Sequence, residues 1–447
     1  MIPTGLDQKV SDLLRRERLP GLSAGIVHDQ QLVWSAGFGA ADWEGSVAPD
    51  ASTLYRVASI TKTFTASAIL KLRDAGRLSL DDPLHAYLPE FGKGRERSIE
   101  HVTLRRMLSH HAGLTTEAPL PYWDSLDFPA RDVLLGELPG VETVISPDSA
   151  FKYSNVAYGM LGEVVTRVAG VPYEEYLLSE ILAPLGMSSS GLRLAPEQQD
   201  RLAVGRIPLP GGGFERAPHA ALGGLGPCGQ LYSSVEDLAR WIALQFRTAP
   251  SDEPVLAGAT LDEMHRPQYL EPDWSVAYCL GWRATRTGDH IYHGHGGGLP
   301  GFASYVLFSR PYRLGVILLS NVWPHPGLLG AATDIAEFLI ESGWPVHTEP
   351  DPAAPAPPDA SLVVGLYQAQ SRIYVSVTLR EGRLRLEKAA TSDFVLHGPA
   401  VLDPTGVERE YVVRNGRGAG ERVRFTETPE GFEFELGGFV YRSCPWL

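Results

Sequence analysis

Cysteine is scarce in this chain of 447 residues: Cys228, Cys279 and Cys444 are all there are. They are scattered, odd in number and without Cys-x-x-Cys spacing, which argues against a disulfide framework or a cysteine-built zinc site. There is no long lysine- or arginine-dense run, and the formal net charge is −14. Nucleic acid and anionic membrane are therefore not expected as general partners. No uncharged apolar stretch reaches the ~18 residues of a membrane span. The first residues, Met1 to Asp7, lack a basic region leading into an apolar run. No secretory signal is visible, so the cytoplasm is the default expectation, although a removed leader would leave the same start.

What is present is an ordinary globular composition, 44% apolar, in a chain long enough for two or three domains or subdomains. The stretch that organises it is Tyr55-Arg56-Val57-Ala58-Ser59-Ile60-Thr61-Lys62. Ile60, Phe64, Ala68 and Leu72 recur every fourth residue and Gly76 follows as a stop, which predicts a helix with Ser59 and Lys62 near its front. Residues i and i+3 share a helix face, so the Ser59 hydroxyl and the Lys62 amine can project side by side. A serine needs a base to become a nucleophile, and a lysine in a poorly solvated site can serve. With only six lysines in the chain, roughly 0.3 to 0.5 such Ser-x-x-Lys pairs arise by chance. Two occur. Ser149/Lys152 follows Pro147-Asp148 and has no helical pattern of its own, whereas Ser59/Lys62 has one.

In chain order, Asp7 to Arg18 reads as a helix with Val10, Leu13 and Leu14 on its apolar stripe. Leu22–Val27 and Leu32–Ala36 read as strands around an Asp29-Gln30 turn. Gly21-Leu22-Ser23-Ala24-Gly25 matches the Gly-x-Ser-x-Gly elbow, but a hairpin follows it where the elbow needs a helix. Helical patterns then dominate to about Gly186, the best being Asn155 to Gly170. Gly224 to Gly229 matches Gly-x-Gly-x-x-Gly, yet no strand precedes it and Pro227 interrupts it. It reads as a tight loop before a helix capped by Ser233 and Glu236. Strands return at Gly281–Thr285, Ser304–Phe308 and Gly315–Leu319, then a helix near Leu328–Ile340. Between them, His293 and His295 share a strand face, but no third metal ligand is placed by sequence. Pro345 to Pro358 holds six prolines and reads as a semi-rigid linker. Beyond it Val375/Val377/Leu379, Leu384/Leu386, Val423/Phe425 and Phe432/Phe434/Leu436 alternate as strands of an antiparallel barrel.

Three segments together resemble the serine β-lactamase and penicillin-binding DD-peptidase superfamily, in its class C-like branch with esterases and D-aminopeptidases. They are Ser59-Ile60-Thr61-Lys62, then Tyr153-Ser154-Asn155 at the place of Tyr-x-Asn, then His295-Gly296-Gly297 where the family has Lys-Thr-Gly or His-x-Gly. Leu108–Leu114, Pro184 to Met187 and Gly294–Phe302 add to the likeness, which covers roughly residues 5 to 343. The C-terminal part resembles the lipocalin-like barrels appended to some peptidases of the superfamily.

The resemblance implies an α/β part, an antiparallel sheet flanked by helices, with an all-α insert and the site between them. The expected domains are a hydrolase domain at 1–344, a linker at 345–359 and a small all-β barrel at 360–447. It implies Ser59 as the nucleophile of an acyl-enzyme, with Lys62 and Tyr153 as the base system. Asn155 would bond Lys62 and a substrate carbonyl, or cap the helix that starts there. Gly297 and Gly298 would bring a strand close to the substrate, the Gly298 N–H joining that of Ser59 in an oxyanion hole. His295 departs from the lysine usual in penicillin-hydrolysing members and lacks its permanent charge. An ester, or an amide or peptide carrying a D-residue, is therefore the expected substrate, with weak β-lactamase or DD-peptidase activity as the alternative. A ligand-binding or sensor module of the same fold is the competing class. No cofactor is implied, a homo-oligomer is compatible, and the loops Leu120–Phe128 and Pro208–His219, with Tyr122 and Trp123, are expected to shape the pocket.

Overall fold

The structure is a computed structural model that describes residues 2–91, 99–247, 255–324, 327–344, 357–369, 373–380, 382–390, 400–415 and 418–444. The chain divides into two compact units, Met1–His347 and Thr348–Leu447. Most of the expected linker, residues 345–356, lies outside the described residues.

The first unit is built on an eight-stranded sheet in which every adjacent pair is antiparallel. Its order runs Gln31–Gly39, Gly21–His28, Leu314–Ser320, Phe302–Ser309, His290–Leu299, Arg283–Thr287, Val276–Tyr278, Tyr269–Leu270. The strand Leu314–Ser320 is buried at all seven positions, because helices cover both faces of the sheet. Leu314, Val316 and Leu318 pack with the helices Leu6–Arg16 and Leu328–Glu341. Ile317 and Leu319 point the other way, into the core shared with Val235–Gln245 and the helical insert. The alternation of side chains along a strand makes this division automatic. Both expected strands near the N-terminus form, slightly longer than read.

One boundary differs from the sequence reading. The helix Val235–Gln245 is capped by Ser234, whose hydroxyl accepts from the Asp237 N–H at 3.3 Å. Ser233, the expected cap, lies in a short strand and its hydroxyl meets that of Ser190 at 2.8 Å. With two adjacent serines the pattern alone does not choose, and pairing of Tyr232–Ser233 with Tyr55–Arg56 settles it.

The second unit is a nine-stranded antiparallel sheet. Its two edge strands, Arg422–Arg424 and Thr426–Thr428, are consecutive in the chain, so the barrel nearly closes. Val375, Val377, Leu384, Leu386, Phe434 and Leu436 fill it. Leu379, expected to alternate with Val375 and Val377, is instead 42% exposed near the end of its strand.

Candidate active site

Ser59 stands where a strand turns abruptly into a helix. Tyr55–Arg56 pairs with Tyr232–Ser233, and two residues later Ala58 takes a left-handed backbone, φ +47°. That conformation is costly for a residue with a Cβ and persists only where surroundings enforce it. Here the Val57 N–H donates to the Leu231 carbonyl at 2.9 Å, and the Val57 carbonyl accepts from Ser304 Oγ at 2.8 Å. Ala58–Ile60 then forms a 3₁₀ turn, and the α-helix runs from Thr61 to Asp74. The tighter turn eclipses side chains at i and i+3, so it serves the Ser59–Lys62 spacing better than an α-helical start would. The helix is buried at every position from Thr61 to Leu70. Its hydroxyls are spent on nearby carbonyls: Thr61 on Ala58, Thr63 on Ile60 and Ser67 on Thr63.

Lys62 Nζ donates to three acceptors, Ser59 Oγ at 3.0 Å, Asn155 Oδ1 at 2.8 Å and the Cys228 carbonyl at 2.8 Å. The Lys62 nitrogen thus has a hydrogen-bond partner in each of three directions. Tyr153 OH donates to the same Ser59 Oγ at 3.0 Å, and Lys62 Nζ lies 4.8 Å from the Tyr153 ring centre. Asn155 does not cap the helix Asn155–Ala169. Ser154 does, accepting from the Ala157 N–H at 3.0 Å and donating to the Thr115 carbonyl at 2.7 Å. The Asn155 amide is thereby free to turn inward, where its Nδ2 donates to Glu117 Oε1 at 2.6 Å.

The third segment comes from the sheet. In the strand His290–Leu299, pairing with Arg283–Thr287 ends at Gly294, while pairing with Phe302–Ser309 continues to Leu299. The backbone from His295 onward therefore has one open edge. A Cβ at Gly297 would stand 2.1 Å from the Val57 carbonyl oxygen and 2.4 Å from Ser304 Oγ, and one at Gly298 would meet the Trp323 ring at 2.7 Å. Glycine is what lets this strand lie against the Ser59 turn. His295 Nδ1 meets the Gly296 carbonyl at 2.7 Å. Burial, and after it the Lys62 charge, push the His295 imidazole down to about 4, so it is neutral at pH 7.

Ser59, Tyr153, Asn155, His295, Gly297 and Gly298 line a cleft of about 640 Å³, with Lys62 buried behind Ser59 and with Trp123, Phe151, Tyr278 and Trp323 among the apolar walls. The structure thus brings together Ser59, Lys62, Tyr153, Asn155, His295, Gly297 and Gly298. The Beta-lactamase family model matches residues 6–339. The chain belongs to that family. Among its relatives, Beta-lactamase-like protein 2 of Dictyostelium discoideum is 28% identical over 372 residues, 80% of this chain and 66% of that protein. Protein flp of Staphylococcus aureus strain N315 is 26% identical over 324 residues, 71% of this chain and 62% of that protein. Both matches span just under two thirds of the relative's own length. The octameric penicillin-binding protein homologue from Pyrococcus abyssi superposes with a TM-score of 0.66 at 23% identity, covering 98% of each chain. A class C beta lactamase from Rhodobacter sphaeroides gives 0.65 at 20% identity, covering 76% of this chain and all of the other.

Other sequence patterns in this beta-lactamase-family chain serve different ends. Ser23 sits inside a strand paired on both sides, its hydroxyl on the Asp50 carbonyl at 2.7 Å. Lys152 Nζ donates to Thr116 Oγ1, and Ser149 Oγ to the Ser146 carbonyl, so that pair does not meet. Gly224–Gly229 forms a 3₁₀ turn and one helical turn, and its use is the Cys228 carbonyl offered to Lys62. His293 Nε2 meets the His265 carbonyl at 3.1 Å, and among the described residues no three His, Cys, Asp or Glu group as metal ligands. Trp123 is a wall of the cleft, but Tyr122 is buried behind it, its OH on Glu117 Oε2 at 2.7 Å. Residues Ala217–His219 line a different cavity, which corrects the expectation that the Pro208–His219 loop shapes this one. Sequence reasoning missed Glu117, which holds both Asn155 and Tyr122. A lone glutamate 38 residues from Asn155 carries no spacing signal.

Proposed function

We propose that this protein is a serine hydrolase acting through an acyl-enzyme at Ser59, on esters or on amides and peptides carrying a D-residue. The observation that carries the reading is the placement of Ser59 Oγ 3.0 Å from both Lys62 Nζ and Tyr153 OH. In the proposed reaction the Lys62–Tyr153 pair starts one proton short, as neutral lysine beside phenol or ammonium beside phenolate, and takes the Ser59 Oγ proton as that oxygen attacks a carbonyl carbon. The same pair returns a proton to the leaving group as the carbonyl bond breaks, and water then hydrolyses the ester. The Lys62 charge beside the Tyr153 ring stabilises negative charge on either oxygen during transfer. Asn155 orients Lys62, and in the proposed site the Gly298 N–H, with that of Ser59, donates to the substrate carbonyl while Gly297 lets the strand lie close.

A neutral His295 supports the choice of substrate class, because the position that carries a lysine in penicillin-hydrolysing members holds no permanent cation here. One observation favours the peptide branch over the ester branch. Arg283 lines the cleft, and its buried Nε meets no hydrogen-bond acceptor. A peptide ending in a free carboxylate would find its counter-charge there rather than at position 295. Intact-mass analysis after brief exposure to p-nitrophenyl esters, D- and L-amino acid amides, D-peptides with free and amidated ends, and a penicillin tests both points. A decaying adduct on the Ser59 peptide, absent from Ser59→Ala, is expected from an ester or D-peptide. A penicillin adduct that persists would replace this reading with a penicillin-binding one. Ligand binding with no adduct from any substrate would favour a sensor.

We further propose that the protein assembles with copies of itself and that the C-terminal barrel contributes. The octameric Pyrococcus abyssi homologue, aligned over 98% of its chain, supports this. Light scattering of the full chain against one ending at residue 344 is expected to show a smaller assembly for the short form. Equal size would reject a role for the barrel in assembly.

A further inference from the structure

Three residues before Ser59 the fold buries a cation that no described residue neutralises. Arg56 is 2% exposed, and its Nε and Nη2 meet no hydrogen-bond acceptor. Its register partner is Tyr232, whose ring centre lies 5.6 Å from the guanidinium carbon. The Tyr232 hydroxyl in turn meets His219 Nε2 at 2.8 Å. A guanidinium does not shed its proton, so it cannot escape the cost of burial by becoming neutral. Buried polar groups are almost always satisfied, and a charged one left open calls for a complement.

Arg56, Tyr232 and His219 stand in the wall of a cavity of about 1310 Å³ that shares no lining residue with the Ser59 cleft. The other arginines around it are already paired: Arg131 and Arg167 with Glu163, and Arg193 with Glu174. Arg56 makes no ion pair with any described residue. Around it the wall is apolar, with Leu202, Ala217 and Phe302. Partial desolvation, then the Arg56 charge itself, push the His219 pKa down. The site thus offers one permanent positive charge, its Nε and Nη2 unpartnered and sealed from solvent, beside an aromatic ring and an apolar wall. That combination matches a single carboxylate on an apolar body. A phosphate dianion would bring a second charge with nothing to meet it.

We propose that the Arg56 end of this cavity is a second ligand site, separate from the Ser59 cleft, for a small monoanionic carboxylate with an apolar body. The proposal does not depend on the activity assigned to Ser59. Calorimetric titration of the full-length protein with benzoate, hexanoate, benzyl alcohol and inorganic phosphate tests it. Benzoate and hexanoate are expected to bind at least tenfold more tightly than benzyl alcohol or phosphate, and Arg56→Gln to weaken them tenfold or more. Unchanged carboxylate binding by a folded Arg56→Gln, equal binding of benzyl alcohol, tighter binding of phosphate, or no carboxylate binding at all would each overturn it. Should Arg56→Gln not fold, crystals of the unmutated protein soaked in 4-bromobenzoate decide. Bromine beside Arg56 supports the site, and bromine only at the Ser59 cleft or nowhere removes it.

Discussion

Glu117 shows how far the chemistry proposed at Ser59 depends on a residue that does not touch it. Its two carboxylate oxygens accept from Asn155 Nδ2 at 2.6 Å and from Tyr122 OH at 2.7 Å. Asn155 is thereby fixed with its oxygen toward Lys62. Glu117→Gln puts an amide donor where two donors already point, so one of these bonds is lost. A hydrogen bond to a charged group is worth about 1.5–3 kcal/mol. The expected result is a kcat lower by roughly 10- to 100-fold, with KM changed much less, since Glu117 positions a partner of the lysine rather than the substrate. Steady-state kinetics on the best substrate of the panel checks this, and a purely raised KM would count against it. At this scale the sequence was partly legible. Ser59 and Lys62 stood out because i,i+3 spacing is local chemistry. Tyr153, Asn155 and His295 stood out only through resemblance. Glu117 and the Cys228 carbonyl were not legible, because their role arises from chain segments that meet only in three dimensions.

At the scale of elements, the cap of the Asn155–Ala169 helix decides what its first residue can do. Ser154 carries the capping bond and ties the turn to the Thr115 carbonyl, which leaves Asn155 available to Lys62. Ser154→Ala should cost about 1 kcal/mol of stability. Because Tyr153 and Asn155 flank it, the rate should also fall. Chemical denaturation and kinetics on the same preparation separate the two effects, and a stability loss with an unaltered rate would show that the cap does not tension the site. The periodic pattern found the helix but pointed to Asn155 as its possible cap, one residue past Ser154, just as it pointed to Ser233, one residue short of Ser234. Propensity names the kind of residue that caps. Only packing against neighbouring strands says which one does.

Four histidines, His110 and His265 buried and His293 and His295 half-buried, make the fold sensitive to acid. Burial holds His110 and His265 well below the ordinary imidazole value and brings His293 and His295 to about 4. In the unfolded chain these rings titrate near 6.5. Between the two values the unfolded state binds more protons, so stability is complete above about pH 6.5 and falls as the pH drops toward 4. The melting temperature at pH 5 is therefore expected to lie below that at pH 7.5 at matched ionic strength. Equal values would contradict the burial of these rings. The sheet that holds two of them has a further consequence, for synthesis. Gly21–His28 finds its second neighbour in Leu314–Ser320, nearly three hundred residues later. At about 5–20 residues per second, a ribosome takes roughly 15 to 60 s to deliver that partner. Through that interval an apolar strand, seven of whose eight residues end up buried, has one edge open to other nascent chains. Yield in a cell should then depend on chaperones that shield the emerging N-terminal hairpin.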